Sequence, residues 1–173
     1  MKRIAIIGSG GSGKSTLATR LGELLKIDVY HLDSLFWKPG WVGTSKEEQS
    51  SLQHELVFQE EWIMDGNYGG TMDIRLQKAD TIIFLDIPRS TCIYRVIKRR
   101  LQYHNKTRPD MGEGCEERLN LEFLKWIWKY PIEKKPGILA RLEKEKDKKV
   151  IILASPHEVE RFLSHLEDYV DGN

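Results

Sequence analysis

Cysteine is scarce: Cys92 and Cys115 are the only two, far apart and without C-x-x-C spacing. That excludes a disulfide framework and a thiolate zinc site, and it reads as free thiols of a reducing compartment. The histidines, His31, His54, His104, His157 and His165, are scattered with no metal-ligand spacing. No apolar run approaches the roughly 18 residues that a membrane span requires. The run after Met1-Lys2-Arg3 is too short for a secretion signal and leads straight into a Gly-rich stretch. A cytoplasmic chain with no membrane partner is the expectation. An excess of one charge is missing too. With 27 basic and 26 acidic residues the net charge is +1, so no global field argues for nucleic acid, and such a contact would need a local patch.

What is present suffices for one domain spanning residues 1–173. Hydrophobic residues make up 40% of the 173, and a chain of this size buries roughly 70% of its unfolded surface without a metal or disulfide. Short apolar runs alternate with amphipathic stretches. Residues 3–7, 28–31, 61–65, 81–86 and 149–153 read as strands, the first a β-branched run ending at Gly8. Residues 14–25, 46–59, 89–103, 118–129, 138–146 and 156–169 read as helices. This alternation predicts a three-layer α/β/α fold: a five-stranded parallel sheet with right-handed crossovers and helices on both faces. Two segments break the pattern. Residues 34–43 form a Trp/Gly/Pro loop, and residues 104–115 a polar insertion after a basic helix, so that a lid-like element is expected at about 104–118. Both emerge at the carboxyl ends of strands, where open parallel sheets bind ligands.

The stretch Gly8-Ser9-Gly10-Gly11-Ser12-Gly13-Lys14-Ser15 fits G-x-x-x-x-G-K-[ST], with a strand before it and a helix after it. Its four glycines let backbone N–H groups turn inward as an anion nest, and the helix adds its positive end. Lys14 supplies a cation to the β- and γ-phosphates of ATP or a similar nucleotide. The Ser15 hydroxyl, followed by Thr16, stands where Mg²⁺ would be held.

The motif names no reaction by itself. The segment Phe84-Leu85-Asp86-Ile87-Pro88-Arg89 and the arginines that follow resemble adenylate-kinase-like nucleotide kinases, in which a strand ends in Asp-x-Pro and a helix carries arginines to a lid. The resemblance implies the strand order 2-3-1-4-5 for the sheet, and it implies that Arg95, Arg99 and Arg100 contact ATP phosphates. It implies that Asp65, in Asp65-Gly66, supports the Mg²⁺ shell with Ser15, Asp86 being the second choice, and that Ser155 and Pro156 pack on adenine. The family's Pro-Arg after Asp-Gly is absent; Asn67-Tyr68-Gly69-Gly70 stands there, which argues against AMP as acceptor. The passages His31-Leu32-Asp33-Ser34-Leu35-Phe36-Trp37-Lys38-Pro39-Gly40-Trp41, Met64-Asp65-Gly66-Asn67-Tyr68, Arg108-Pro109-Asp110-Met111-Gly112-Glu113-Gly114-Cys115 and Phe123-Leu124-Lys125-Trp126-Ile127-Trp128 resemble DNA topology modulation proteins, which are adenylate-kinase-related.

Asp33 follows the second strand at the ligand end, placed to accept a proton from an acceptor hydroxyl, or simply to cap a turn. Trp37 and Trp41 could stack on an acceptor or anchor their loop; Asn67 and Tyr68 could face it. Arg89, Arg95, Lys98, Arg99, Arg100, Lys106 and Arg108 run without an acid between Asp86 and Asp110. A solvated face would interleave acids, so phosphate contact is preferred to a nucleic-acid patch. Phe123, Leu124, Trp126 and Trp128 read as a packing face, and Cys92 as buried. The expected function is Mg²⁺-dependent phosphoryl transfer from ATP to a small acceptor. Lys14, Asp33, Arg95, Arg99 and Arg108 would be catalytic in a monomer or homodimer. The alternative is a nucleotide-dependent regulator whose basic helix touches DNA.

Overall fold

The structure, a computed structural model, describes residues 1–104, 106–117 and 120–171. Five parallel strands form the sheet: β1 (Arg3–Gly8), β2 (Val29–His31), β5 (Trp62–Asp65), β6 (Thr81–Leu85) and β7 (Lys149–Leu153). β3 (Trp37–Lys38) and β4 (Val42–Gly43) pair antiparallel as a separate hairpin. The large sheet runs β2-β5-β1-β6-β7; counted without the hairpin, that is second, third, first, fourth, fifth. Its helices are α1 (Lys14–Leu25), α2 (Leu32–Phe36), α3 (Lys46–Leu56), α4 (Met72–Lys78), α5 (Arg89–Gln102), α6 (Leu121–Glu133), α7 (Lys135–Leu142) and α8 (Pro156–Asp171).

The pleat sorts the apolar strand residues into two cores. Ile4, Ile6, Ile63, Ile83 and Leu85 face Leu17 and Leu21 of α1, Cys92 and Val96 of α5, Ile127 of α6 and Leu163 of α8. Their neighbours Ala5, Ile7, Trp62, Met64, Ile82 and Phe84 face Leu56, Met72, Leu76, Tyr130, Ile138 and Leu142 on the other side. Alternate residues of a strand point to opposite faces, so near-continuous apolar runs are what a sheet covered on both sides demands. α3 starts at a reciprocal cap: Ser45 Oγ accepts from the Glu48 N–H at 3.1 Å and Glu48 Oε2 from the Ser45 N–H at 2.8 Å.

Several sequence expectations need correction. Residues 34–43 are not a plain loop; α2 and the β3–β4 hairpin occupy them, with Trp41 in the left-handed region (φ 63°) at the turn. α4 was not anticipated at all. The helix expected over 118–129 begins at Leu121, where the Asn120 side chain accepts from the N–H groups of Glu122 and Phe123; Arg118 and Leu119 lie outside the described residues. It runs through Pro131 to Glu133, and the charged helix expected over 138–146 is α7, three residues earlier, with Pro136 in its first turn.

α4 carries the most enclosed charge among the described residues. Arg75 has no exposed surface. It donates to Gln53 Oε1 at 2.9 Å, to the Gly66 carbonyl at 2.8 Å and to the Asn67 carbonyl at 3.2 Å. Burial lowers its pKa to about 10, so it stays protonated at neutral pH. Arg75→Met keeps the volume but strands three buried acceptors, at about 3 kcal/mol in total. The expected result is a Tm lower by roughly 6–12 °C for a chain of this size, read by thermal unfolding; an unchanged Tm would show that the loop finds other donors.

Candidate functional site

The strand register builds the site. Ile6 of β1 and His31 of β2 both stand beside Asp65 at the end of β5, and Gly8 stands beside Leu85 of β6. The carboxyl ends of the central strands therefore open together into a cleft of about 990 Å³. Residues 10–16, His31, Asp33, Arg95, Lys98, Arg99, Arg108, Asp110, Phe123 and Pro156 are part of its wall. A comparable depression beside Leu142, Lys146 and Val150 shares no residue with it and collects no converging catalytic groups.

Residues 8–15 wrap as the motif requires. Gly11 has φ 75°, and a Cβ there would lie 2.3 Å from the Cys92 carbonyl oxygen, so only glycine lets the loop pass this close to α5. Gly13 caps α1 at φ 97°. Lys14 Nζ is held by the Ser9 carbonyl at 2.9 Å. Burial lowers the Lys14 pKa, and the nearby charges of Asp33 and Asp65 oppose that shift. The Ser9 and Ser12 hydroxyls are buried without a hydrogen-bond partner among the described residues. Buried donors of this kind, ringed by backbone N–H groups, suit an anion.

Ser15 Oγ donates to Asp65 Oδ2 at 2.8 Å, bringing together a hydroxyl and a carboxylate, two hard oxygen donors of the type Mg²⁺ takes. The residues present fit that ion. The other Asp65 oxygen, Oδ1, lies 2.5 Å from His31 Nδ1. This hydrogen bond is the main reason the His31 pKa is raised, with burial opposing it and the charges of Asp65, Asp110 and Asp33 adding to it. Asp86, the second choice for the metal, is instead paired with Lys135 Nζ at 2.6 Å.

Asp33 sits in the first turn of α2 and accepts from the Tyr68 hydroxyl at 2.6 Å through Oδ1. Burial first, and then the Asp33 charge, push the Tyr68 pKa far upward, so Tyr68 remains a phenol and a donor. Phe36 meets its ring edge to face, centroids 4.7 Å apart. Asn67 turns elsewhere: its Oδ1 accepts from Tyr130 Oη at 3.3 Å.

The arginines divide. Arg95 donates to the Ser12 carbonyl at 3.0 Å, against the phosphate loop. Arg99 Nε lies 3.0 Å from Glu117 Oε1, and Arg108 Nε 2.8 Å from Glu117 Oε2, while Arg108 Nη1 donates to Asp110 at 2.9 Å. Arg99 has a lowered pKa because of burial and then the neighbouring Arg108. Arg100 makes its contact with His104 and is absent from the cleft wall. The inference that this basic run lacks acidic partners is thus corrected: Glu117 and Asp110 reach it through the fold.

The insertion is not free-standing. Gly40 N–H donates to the Gly114 carbonyl at 3.0 Å, Trp41 Nε1 to the Glu116 carbonyl at 2.9 Å, and Cys115 Sγ to the Lys38 carbonyl at 3.2 Å. A Cβ at Gly112 would come within 2.4 Å of the Trp37 carbonyl oxygen. Trp37 and Trp41 meet each other with centroids 5.7 Å apart, so the indoles do anchor this hairpin. Phe123 packs as expected, against the core and stacked on Trp126 at 5.8 Å, and its ring also covers Gly10, leaving no room for a Cβ. Pro156 lines the cleft, whereas Ser155 is outside the wall and its hydroxyl accepts from the Glu158 N–H at 3.2 Å. Thr16 is exposed on the rim. Cys92 is buried, as expected. The sequence reading missed His31, Arg75, Glu117 and the cover that Phe123 gives Gly10. Only His31 carried a local signal, two residues before Asp33.

The whole arrangement is that of a P-loop kinase-like fold. It is similar to a shikimate kinase from Bacteroides thetaiotaomicron, at 18% identity and a TM-score of 0.54, with 98% of each chain covered. An uncharacterized protein from Eubacterium ventriosum ATCC 27560 matches at 19% and 0.52, and an unliganded sugar kinase from Janibacter sp. HTCC2649 at 16% and 0.50, each again over 98% of both chains. No protein-family model matches the sequence, and no curated protein does. Among the described residues, no helix is long and apolar enough to cross a membrane.

Proposed function

We propose that this chain is a cytoplasmic ATP-dependent kinase acting on the hydroxyl of a small acceptor, and that it is related to the adenylate-kinase-like DNA topology modulation proteins its sequence resembles. The observation that carries this reading is that one cleft is lined by phosphate-loop residues 10–16, with the buried Asp65 bonded to Ser15 behind them, and by Asp33. A binding switch would need the first two but has no use for a carboxylate set beside them.

In this reading the loop N–H groups and Lys14 hold the β- and γ-phosphates, and Pro156 borders the base. Ser15 and Asp65 would hold Mg²⁺, which when bound supplies positive charge to the phosphate oxygens. Asp33, steadied by Tyr68, aligns the acceptor hydroxyl and takes its proton. As the new O–P bond forms, the bond from the γ-phosphorus to its bridging oxygen breaks, and ADP leaves. Arg95, Arg99 and Arg108 balance charge on the transferred group.

The direct test is ADP release from ATP and Mg²⁺ across a panel of nucleosides, nucleotides and hydroxylated metabolites. Stimulation by an acceptor supports the kinase; ATP turnover indifferent to every acceptor favours a switch. The same assay carries a further prediction. Arg108→Ala should lower turnover at least tenfold, since one arginine at a transferring phosphoryl group is worth about 10³ or more, while duplex DNA affinity stays weak at physiological salt. Tight DNA binding that falls steeply with salt and vanishes in this variant would instead place the basic run on DNA phosphates.

A further inference from the structure

Glu117 is a carboxylate with almost no access to solvent, 5% exposed, and it takes no part in the cleft wall. The two arginines it meets do: Arg99 and Arg108 both line the cleft, with phosphate-loop residues 10–16. Arg99 Nε donates to Glu117 Oε1 at 3.0 Å, and Arg108 Nε stands 2.8 Å from Oε2. One carboxylate thus bridges two guanidinium groups from behind the wall, with one oxygen to each.

The nitrogens it engages leave others over. Among the described residues Arg99 makes no hydrogen bond from Nη1 or Nη2. Arg108 donates from Nη1 to Asp110 at 2.9 Å, and its Nη2 makes no hydrogen bond among the described residues. A guanidinium is a rigid planar fork, so holding Nε also settles where the terminal N–H groups lie. Glu117 is itself held by its backbone. Its N–H donates to the Lys106 carbonyl at 3.0 Å, Glu116 bridges to Thr107, and the Trp41 indole donates to the Glu116 carbonyl at 2.9 Å.

Two guanidiniums this close repel each other; after burial, the charge of Arg108 is the next cause of the lowered Arg99 pKa. A carboxylate between them removes that cost. With Asp110 included, two carboxylates stand against two guanidiniums, so this group carries no surplus charge before a ligand arrives. What it offers a phosphoryl group is a set of directed N–H donors at fixed spacing. From the place of Glu117 behind both arginines we infer that it is a positioning residue, which holds Arg99 and Arg108 side by side so that their terminal N–H groups clasp the γ-phosphoryl group of ATP. The inference deepens the kinase reading and rests on its assignment of these arginines to the transferred group. Glu117 acts through the arginines and touches neither nucleotide nor acceptor.

The experiment compares the full chain with Glu117→Gln in the presence of Mg²⁺, by calorimetry with ADP and with a non-hydrolysable ATP analogue. Glutamine keeps the length of the side chain but loses its charge, and its NH₂ faces an arginine that needs an acceptor. The group becomes more positive, so an effect of charge alone would tighten the analogue. The expected result is the reverse: the ratio of analogue to ADP affinity falls at least about tenfold, while ADP affinity stays within about threefold of the parent. An unchanged ratio overturns the inference, and so does a larger one, which would make Glu117 a competitor of the phosphate for the arginines.

The loss must also run through the arginines. In an Arg99→Ala/Arg108→Ala background Glu117→Gln should change the ratio by less than about threefold, and a loss as large as in the parent overturns the inference. A parent that binds ADP as tightly as the analogue would take the arginines off the γ-phosphate, and the inference with them. None of these readings needs an acceptor, so their failure leaves the kinase reading to the acceptor panel. Thermal unfolding checks each fold. Should Glu117→Gln not fold, Glu117→Asp, which keeps the charge on a stem one methylene shorter, carries the same test. A ratio at least about threefold below the parent then supports the inference, and an unchanged ratio overturns it.

Discussion

Lys14→Ala is expected to weaken ATP binding between ten- and a hundredfold and to reduce turnover at least as much, while the fold survives. Among the described residues Lys14 Nζ donates to the Ser9 carbonyl at 2.9 Å, and Lys14 is half-buried at the start of α1. Alanine is the best helix former, so α1 loses nothing in propensity. What disappears is a charge-assisted hydrogen bond to the phosphates, worth about 1.5–3 kcal/mol, which corresponds to roughly ten- to a hundredfold in affinity. Desolvation, the cause of the lowered Lys14 pKa, also means that the ammonium gives up little further hydration when a phosphate arrives. Calorimetry with ATP and Mg²⁺ reads the affinity, and thermal unfolding without nucleotide reads the fold. Equal ATP affinity in the variant and the parent would remove the phosphate loop from the nucleotide site.

Asp33→Asn has the second large effect, and it separates chemistry from binding. The amide keeps the shape of the side chain and still offers Oδ1 to the Tyr68 hydroxyl, so the contact at 2.6 Å can persist. It cannot take a proton from an acceptor. Loss of general-base assistance costs about 10²–10⁴ in rate, so acceptor-dependent turnover should fall by that factor while ATP affinity stays within about threefold of the parent. A parallel loss of ATP affinity would put Asp33 with Ser15 and Asp65 around the metal. Full activity would make it a structural acceptor for Tyr68 and nothing more. Because the Tyr68 pKa is pushed upward by burial and by Asp33 itself, the phenol gives no substitute base in the variant.

Both predictions concern residues that are legible in the sequence, and the reason is that their signals are local. Residues 8–15 form an anion nest through backbone turns fixed by nearest neighbours, so the motif and its strand–helix setting are written in consecutive residues. The five strands were legible because a sheet covered on both faces needs unbroken apolar runs, and β1 and β6 have them. Ser15 was found in the phosphate-loop motif, and Asp33 and Asp65 as positions at or just after strand ends. Which of their oxygens meet, and that His31 completes the set from the neighbouring strand, follows from the register of β2, β5 and β1.

Tertiary structure alone decided the rest, since those decisions join groups far apart in the chain. The basic stretch from Arg89 to Arg108 looks unpaired in sequence because its acids are not i,i+4 neighbours; Glu117 arrives when the insertion folds back onto α5. Phe123 has the helical spacing of a packing residue, and only the tertiary packing of α6 sets it over Gly10. Nothing in the sequence singles out Arg75, yet it is fully buried and donates to the carbonyls of Gly66 and Asn67. The sequence by itself thus determined the fold class and the place of the phosphates, through local periodicity and a local turn. The packing of the insertion against the hairpin and of α4 beneath the Gly66–Tyr68 loop decided which charges are spent and which remain for a ligand, because ion pairing depends on distance in space and carries no periodic trace in the chain.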